Sequence, residues 1–309
     1  MNCVFTKGDN DECFHFIGQP AASWKHESVG VIMDRYFEIK QRLWNLAETN
    51  DGLLAVVAFG SSAREYAGKD AYSDLDLILV CRDPGDWLYG NLPETLGEIK
   101  LSFVEPTFAD GMERRILYDG SLDVDLILLT PEQMEQAVNS GVAAEVLGRG
   151  YTVLYDAIKI GDRLKHIHAP APRRGMTEQE FLNTVNDFWF HTVWSAKKIL
   201  RGELWTAKMC IDAYMKNLLL KMLEESEADT KDVWHNGRFL EKWAGDDVVA
   251  ALDGCFAHYD RADMVLSLTN TARLFGRMAR RAAQIRGFSY PDEAEKYACS
   301  LLDTYLGET

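Results

Sequence analysis

The sequence predicts an α/β (α+β) domain with a mixed sheet, followed by an all-α helical bundle domain. Three observations lead there. At 309 residues the chain is long enough for two separate hydrophobic cores. From about Ser28 to Leu164, helical patterns alternate with short apolar runs of strand length. Beyond HIHAPAPRRG (166–175), almost every segment carries helical periodicity. The expected organisation is an N-terminal extension over 1–27, the α/β domain over 28–165, a linker over 166–175 and the bundle over 176–309.

In order along the chain, residues 1–27 show no readable pattern. VGVIMDRYFEIKQRLWNLAE (29–48) reads as an amphipathic helix. LLAVVAFG (53–60) is a continuous apolar run ending in Gly, as expected of a strand buried on both faces. DLDLILV (74–80) and LDVDLILL (122–129) are further strands, and IKLSFV (99–104) is a weaker one. Pro170 and Pro172 cannot sit inside a helix, so 166–175 reads as a linker. Thr177 with Glu180 forms a capping box that opens the first long helix. Further helices are expected at about 205–226, 246–258, 261–286 and 292–306, with Asp246 and Pro291 as start signals.

Composition excludes several classes. Lys and Arg number 33 against 48 Asp and Glu, a net charge of −15. Nucleic-acid binders need a basic footprint, so this balance argues against one and favours a cationic or small neutral partner. The six Cys include no Cys-x-x-Cys pair and are too sparse for a disulfide framework, which points to a reducing compartment. The N-terminus lacks the basic and apolar regions of a secretory signal, and no apolar run is long enough to span a membrane. A cytoplasmic enzyme without membrane or nucleic-acid partners is the expectation.

AFGSSAREYAGKDAYSDLDLILV (58–80) carries the most chemistry. A buried strand runs into Gly60-Ser61, and a second strand opens with Asp74-Leu75-Asp76. Strand alternation sets the two carboxylates on one face and Leu75, Leu77 and Leu79 on the other. Adjacent unpaired carboxylates repel and are costly to bury. A hard divalent cation such as Mg²⁺ removes that cost and also takes phosphate oxygens. Asp123 and Asp125 likewise share a face, opposite Val124, Leu126 and Leu128. If that strand lies beside the first, Asp125 joins Asp74 and Asp76 in a site suited to in-line phosphoryl displacement. Gly60 lets backbone N–H groups approach a phosphate, and the Ser61 hydroxyl and Arg64, one turn on, can donate to it.

Gly-Ser, Asp-x-Asp and a distant third Asp together resemble the polymerase β-type nucleotidyltransferase superfamily. The chain is more specifically similar to the aminoglycoside 6-adenylyltransferases (streptomycin adenylyltransferases). DGSLDVDLILL (119–129) corresponds to that family's third-Asp segment, with Asp125 as its Asp. VNDFWF (185–190) looks like the family's NEFWW-type element. Lys197, Arg201 and Glu203 match its K-x-x-x-R-x-E pattern, and KNLLLKML (216–223) resembles the helix that follows. The departures are Ser62 in place of an Arg after Gly-Ser, with Arg64 nearby, Asp187 in place of Glu, and a glycine loop reduced to Trp234-His235-Asn236-Gly237-Arg238.

The resemblance implies transfer of AMP from ATP to a hydroxyl of a streptomycin-like aminoglycoside, hence antibiotic resistance, with the active site between the domains. Asp74, Asp76 and Asp125 would hold Mg²⁺, Asp125 as third ligand or general base. Gly60, Ser61, Arg64 and Lys197 would bind the nucleotide, and Asp187, His191 and Trp194 the cationic acceptor. The alternatives are the same chemistry on a lincosamide or metabolite, and a non-catalytic nucleotide-binding protein on this scaffold. A monomer or weak homodimer is expected. Read by itself, the first bundle helix buries Phe181, Val185, Phe188, Trp189, Thr192, Ala196 and Ile199. Asn183, Asp187, His191, Trp194 and Lys198 lie on its opposite face, where Trp194 beside Asp187 suits the binding of a cationic sugar. Arg273, Arg277, Arg280 and Arg281, in an acidic protein, are expected to pair with carboxylates.

Overall fold

A computed structural model describes residues 34–63, 72–167, 175–227 and 235–307. The chain divides into two units, Met1–Ala171 and Pro172–Thr309. The division falls within the Pro-containing stretch read as a linker, most of which, with the 1–27 extension, lies outside the described residues.

The first unit opens with α1 (Phe37–Thr49). This helix starts later than Val29, because Asp34 accepts from the Tyr36 N–H and turns the chain there; residues 29–33 lie outside the described part. β1 (Leu53–Phe59) and β2 (Leu75–Cys81) follow, then the short α2 (Gly85–Leu88), β3 (Ile99–Pro106), β4 (Met112–Tyr118) and β5 (Leu122–Leu129). α3 (Pro131–Ser140) and α4 (Val142–Leu147) lead to β6 (Tyr151–Asp156) and α5 (Ile160–Leu164). The strands form one sheet in the order β3-β4-β5-β2-β1-β6. β2 and β5 run parallel and the other neighbours antiparallel. The sheet is mixed, as expected.

β4 and β6 were not evident from the sequence. MERRILY (112–118) places three charged residues in a row and reads as surface, but pairing between β3 and β5 satisfies its backbone. Each sheet face has its own core. Leu75, Leu77, Leu79, Val124, Leu126 and Leu128 pack with Ile39, Leu43 and Ala47 of α1. Ile78, Val80, Ile127 and Leu129 pack with Met134, Ala137, Ala143 and Leu147 of α3 and α4. Both central strands are thus covered on both sides, which is why they read as near-continuous apolar runs.

The second unit is helical. α6 (Glu178–Leu200) starts at Thr177, with both hydrogen bonds of the capping box formed. The helix expected at 205–226 is interrupted. α7 (Leu204–Met209) passes through a π-turn, Cys210–Tyr214, into α8 (Met215–Glu227). α9 (Leu240–Trp243) is a single turn, and α10 (Asp246–Leu252) ends earlier than expected, in a 3₁₀ turn, Asp253–Cys255. α11 (Arg261–Arg286) and α12 (Asp292–Leu306) match their expected spans. Of the arginines at 273, 277, 280 and 281 on α11, three pair with carboxylates: Arg277 with Asp247, Arg280 with Asp292 and Glu295, and Arg281 with Glu227. Arg273 instead donates to the Asn270 side-chain oxygen.

The expected core stripe of α6 is fully buried. At its centre the Phe188 and Phe275 rings stack with centroids 3.6 Å apart, and Trp189 packs edge-on to both. Phe188→Ala would leave a ring-sized void in a fully buried aromatic stack. It is expected to destabilise the protein by about 3–5 kcal/mol in a denaturant titration, through the cavity it creates. A loss below about 1 kcal/mol would mean that the bundle is not centred on this stack.

Candidate active site

The acidic site is built at the N-terminal end of β2 and in the first half of β5. The two strands pair in parallel with Leu75 opposite Val124 and Asp76 opposite Asp125. On the same face, one step further along each strand, Ile78 and Ile127 dive under α3 and α4. The carboxylates therefore stand where the sheet face is no longer covered by helices. Asp74 joins them from just before β2, in a segment anchored by the buried Tyr36, whose hydroxyl donates to the Ser73 carbonyl at 2.8 Å. One oxygen from each of Asp74, Asp76 and Asp125 lies within 4.8 Å of the others. The three residues proposed from the sequence are thus brought together. Asp123, on the same strand face, is exposed and is not part of this group.

Gly60 and Ser61 sit beside this cluster because β1 pairs antiparallel with β2, with Phe59 opposite Asp76. Gly60 has φ +68°, and a Cβ built on it would lie 2.0 Å from Asp76 Oδ2. The glycine is needed twice over, for its left-handed backbone and for the approach of the aspartate. The Ser61 hydroxyl oxygen is buried and has no hydrogen-bond partner among the described residues. An unpaired buried hydroxyl is costly, so this atom suits a group that arrives from outside, such as a phosphate oxygen. Arg64 lies outside the described residues.

Asp125 is the most buried of the three, at 6% exposure. Burial pushes its carboxyl pKa up to about 7, opposed by Arg115, with Glu113, Asp76 and Asp123 adding to the rise. Arg115 reaches Asp125 Oδ2 through Nη2 at 3.1 Å. Its Nε lies 3.0 Å from both Glu105 and Glu113. Sequence reasoning missed these three residues. The signal was a charged cluster on a strand not recognised as one.

In the second unit, Asp187 and His191 are half-buried neighbours on α6. Asp187 Oδ1 lies 2.7 Å from His191 Nδ1, and Asp187 Oδ2 accepts from the Tyr214 hydroxyl at 2.8 Å. This polar face is therefore an organised cluster rather than a solvated one, and Tyr214, on the π-turn, is its unforeseen member. Trp194 is only partly exposed and packs on the bundle core, a correction to its placement on the face opposite the buried stripe. The Lys198 ammonium sits over Trp194 at 5.1 Å and pairs with Glu203, which also binds Arg201. Lys197 is exposed. With Trp194 it lines a cavity of about 320 Å³ between α6 and α12, walled also by Asn186, Phe190 and Tyr297. Asp187 and His191 are not among that cavity's lining residues. Of the reduced glycine loop, Asn236 and Gly237 have φ of 55° and 69°, and Arg238 is exposed.

A Gly-Ser turn leading into an Asp-x-Asp strand, with a third Asp from the parallel neighbour, defines a nucleotidyltransferase domain. The chain belongs to the streptomycin adenylyltransferase family, whose model matches residues 33–304. It is accordingly an enzyme of the aminoglycoside nucleotidyltransferase class. Among solved structures it is similar to an aminoglycoside 6-adenyltransferase from Bacillus subtilis, at 18% identity and a TM-score of 0.40, covering 86% of this chain and 97% of that one. It is also similar to a nucleotidyltransferase-like protein from Exiguobacterium sibiricum, at 12% identity and a TM-score of 0.35, covering 87% and 89%. A third is spectinomycin adenyltransferase AAD(9) from Enterococcus faecialis, solved with ATP and spectinomycin, at 10% identity and a TM-score of 0.30, covering 80% and 98%. No curated protein matches the chain. Membership rests on the family match. No helix among the described residues is long and apolar enough to cross a membrane.

The raised pKa of Asp125 has a sign that can be tested. A carboxyl whose pKa is higher in the folded state supports folding most below its unfolded value of about 4, and that support is lost as pH rises through the folded value. For Asp125 the window runs up to about pH 7. In chelator, Asp125→Asn should therefore gain stability over the wild type between pH 5 and pH 8, by up to about 2–4 kcal/mol. Thermal melts across that range would read it. A difference that stays flat with pH would mean that Asp125 is ionised throughout.

Proposed function

We propose that this protein transfers AMP from ATP to a hydroxyl of a cationic aminoglycoside and releases pyrophosphate. The observation that carries the proposal is the grouping of Asp74, Asp76 and Asp125 beside the Gly60-Ser61 turn. The donor set is all carboxylate oxygen, which suits Mg²⁺ rather than a softer metal. The orphaned Ser61 hydroxyl supports a phosphate as the neighbouring group. Asp74, Asp76 and Asp125 would hold the ion. Once bound, Mg²⁺ would neutralise triphosphate charge and make the acceptor hydroxyl more acidic.

The remaining work falls to the chain's own groups. Ser61 donates to a phosphate oxygen, and Gly60 keeps the backbone close enough for main-chain N–H groups to do the same. Asp125 is the proposed general base, since its carboxyl stands beside Asp74 and Asp76, within reach of a hydroxyl brought up to the acidic cluster. As the acceptor hydroxyl loses its proton to Asp125, its oxygen bonds to the α-phosphorus. The bond from that phosphorus to the α,β-bridging oxygen breaks, and pyrophosphate departs with its electron pair. The charge of −15 favours capture of a polycation. Asp187, His191 and Trp194 are the proposed acceptor-binding groups of the helical unit.

Incubation with ATP, Mg²⁺ and a panel of aminoglycosides should yield a product heavier by one adenylyl group. Asp76→Asn should lower turnover by more than about tenfold at saturating Mg²⁺ while the fold survives, because the amide keeps the shape and loses the charge. A smaller loss would sink the metal assignment.

Asp187→Asn is expected to weaken acceptor binding by about 1–3 kcal/mol, read as a raised KM for the aminoglycoside with the KM for ATP unchanged. Both kinetic constants staying at wild-type values would remove the acceptor from this face of α6.

A further inference from the structure

We infer that Arg115 is a positioning residue of the adenylyl-transfer site, orienting Asp125 toward Asp74 and Asp76; this rests on the metal-assisted reading above. β4 pairs with β5 so that Arg115 lies directly opposite Asp125. β5 pairs with β2 so that Asp125 lies directly opposite Asp76. The three side chains form a row across the sheet, on the face that carries the acidic cluster. Arg115 Nη2 engages Asp125 Oδ2 at 3.1 Å and so fixes one of the two carboxylate oxygens. The guanidinium is itself held from behind, with Nε 3.0 Å from Glu105 Oε1 and 3.0 Å from Glu113 Oε1.

The neighbouring arginine sets the contrast. Arg114 points to the other face and donates to the carbonyls of Trp87 and Gly90 at 3.1 and 2.9 Å, a contact that ties β4 to the chain around α2. Strand alternation thus gives two consecutive arginines two jobs. Glu113 and Asp125 are both buried, so a bare cross-strand ion pair on the surface does not describe this arrangement. Asp125 stands buried beside a second carboxylate, and two such groups repel unless a cation stands by. Arg115 is the cation on one side, and the ligand cluster opens on the other. Groups that orient a metal-binding carboxylate by hydrogen bonding tune both affinity and rate.

The test uses the full chain and Mn²⁺ as the probe, titrated calorimetrically in the presence of α,β-methylene ATP. Arg115→Met is expected to weaken Mn²⁺ binding by about tenfold or more, and to lower kcat with little change in KM for ATP. Arg115→Lys should recover part of both losses, because it keeps a donor and the charge but cannot span three carboxylates. Glu105→Gln, at a half-exposed position, should act in the same direction more weakly, and it keeps the test decisive if Arg115→Met fails to fold. Asp76→Asn serves as reference. Wild-type Mn²⁺ affinity in folded Arg115→Met, or in Glu105→Gln where Arg115→Met does not fold, overturns the inference if Asp76→Asn has lost binding, and leaves the metal-assisted reading standing. Retention of Mn²⁺ by Asp76→Asn as well overturns both. A lower melting temperature in Arg115→Met with unchanged Mn²⁺ affinity reduces Arg115 to a cross-strand brace and overturns the positioning role.

Discussion

The parallel pairing of β2 with β5 places Asp76 opposite Asp125, and the first unit is organised around tolerating that placement. Two carboxylates side by side at a partly buried strand end repel, and the repulsion grows as water is excluded. The surrounding structure answers it in three ways. Leu75, Leu77, Val124 and Leu126 anchor the strands from the opposite face, so the pair cannot drift apart without opening a core. Gly60, which has no side chain to intrude, lets the β1 turn approach Asp76. Arg115 supplies positive charge from the outer side of Asp125. What remains is an acidic opening on the side of Asp74, suited to a hard cation and the phosphates it carries.

This arrangement separates stability from chemistry along a single strand. In β5, even-numbered residues from Leu122 to Leu128 serve the α1 side, while Ile127 and Leu129 serve the α3 and α4 side. Asp125 lies on the latter face beyond helix cover, between the exposed Asp123 and the covered Ile127, and is still buried within the sheet. A group there is rigid in its backbone yet open at its carboxyl, which is what a site needs if its geometry is to precede its ligand. The raised proton affinity of Asp125 follows from the same placement, since burial that orients a carboxylate also disfavours its charge.

The helical unit follows a comparable division of labour on α6. Its buried face is aromatic and closely stacked, with Phe188 on Phe275. Its other face carries Asp187, His191 and the hydroxyl of Tyr214 in one hydrogen-bonded cluster. The π-turn at Cys210–Tyr214 brings Tyr214 there, and such turns re-aim side chains that a regular helix would direct elsewhere. Cationic partners are also managed internally, since the arginines of α11 are largely taken up by carboxylates and leave the net negative charge to act on the surroundings.

Much of this was determined by local sequence alone. The apolar runs of β1, β2 and β5, the alternation that faces Asp74 and Asp76 away from the leucines, the Thr177 capping box and the core stripe of α6 all depend on residues close in the chain. Pattern and propensity suffice for these, and the motif Gly60-Ser61, Asp74, Asp76, Asp125 was readable as chemistry for the same reason. The tertiary structure alone decided that β5 lies beside β2 in the register that sets Asp125 against Asp76. It also decided that MERRILY is a strand between two others, and so that Arg115, Glu113 and Glu105 belong to the acidic site. It placed Tyr214 on Asp187 and buried part of Trp194. Each of these is a contact between separate elements, from the β3-β4-β5 hairpins to the longer-range meeting of β2 with β5. Its free energy comes from burial and from backbone hydrogen bonds that exist only once the sheet or bundle has formed, so a single strand or helix carries no trace of it.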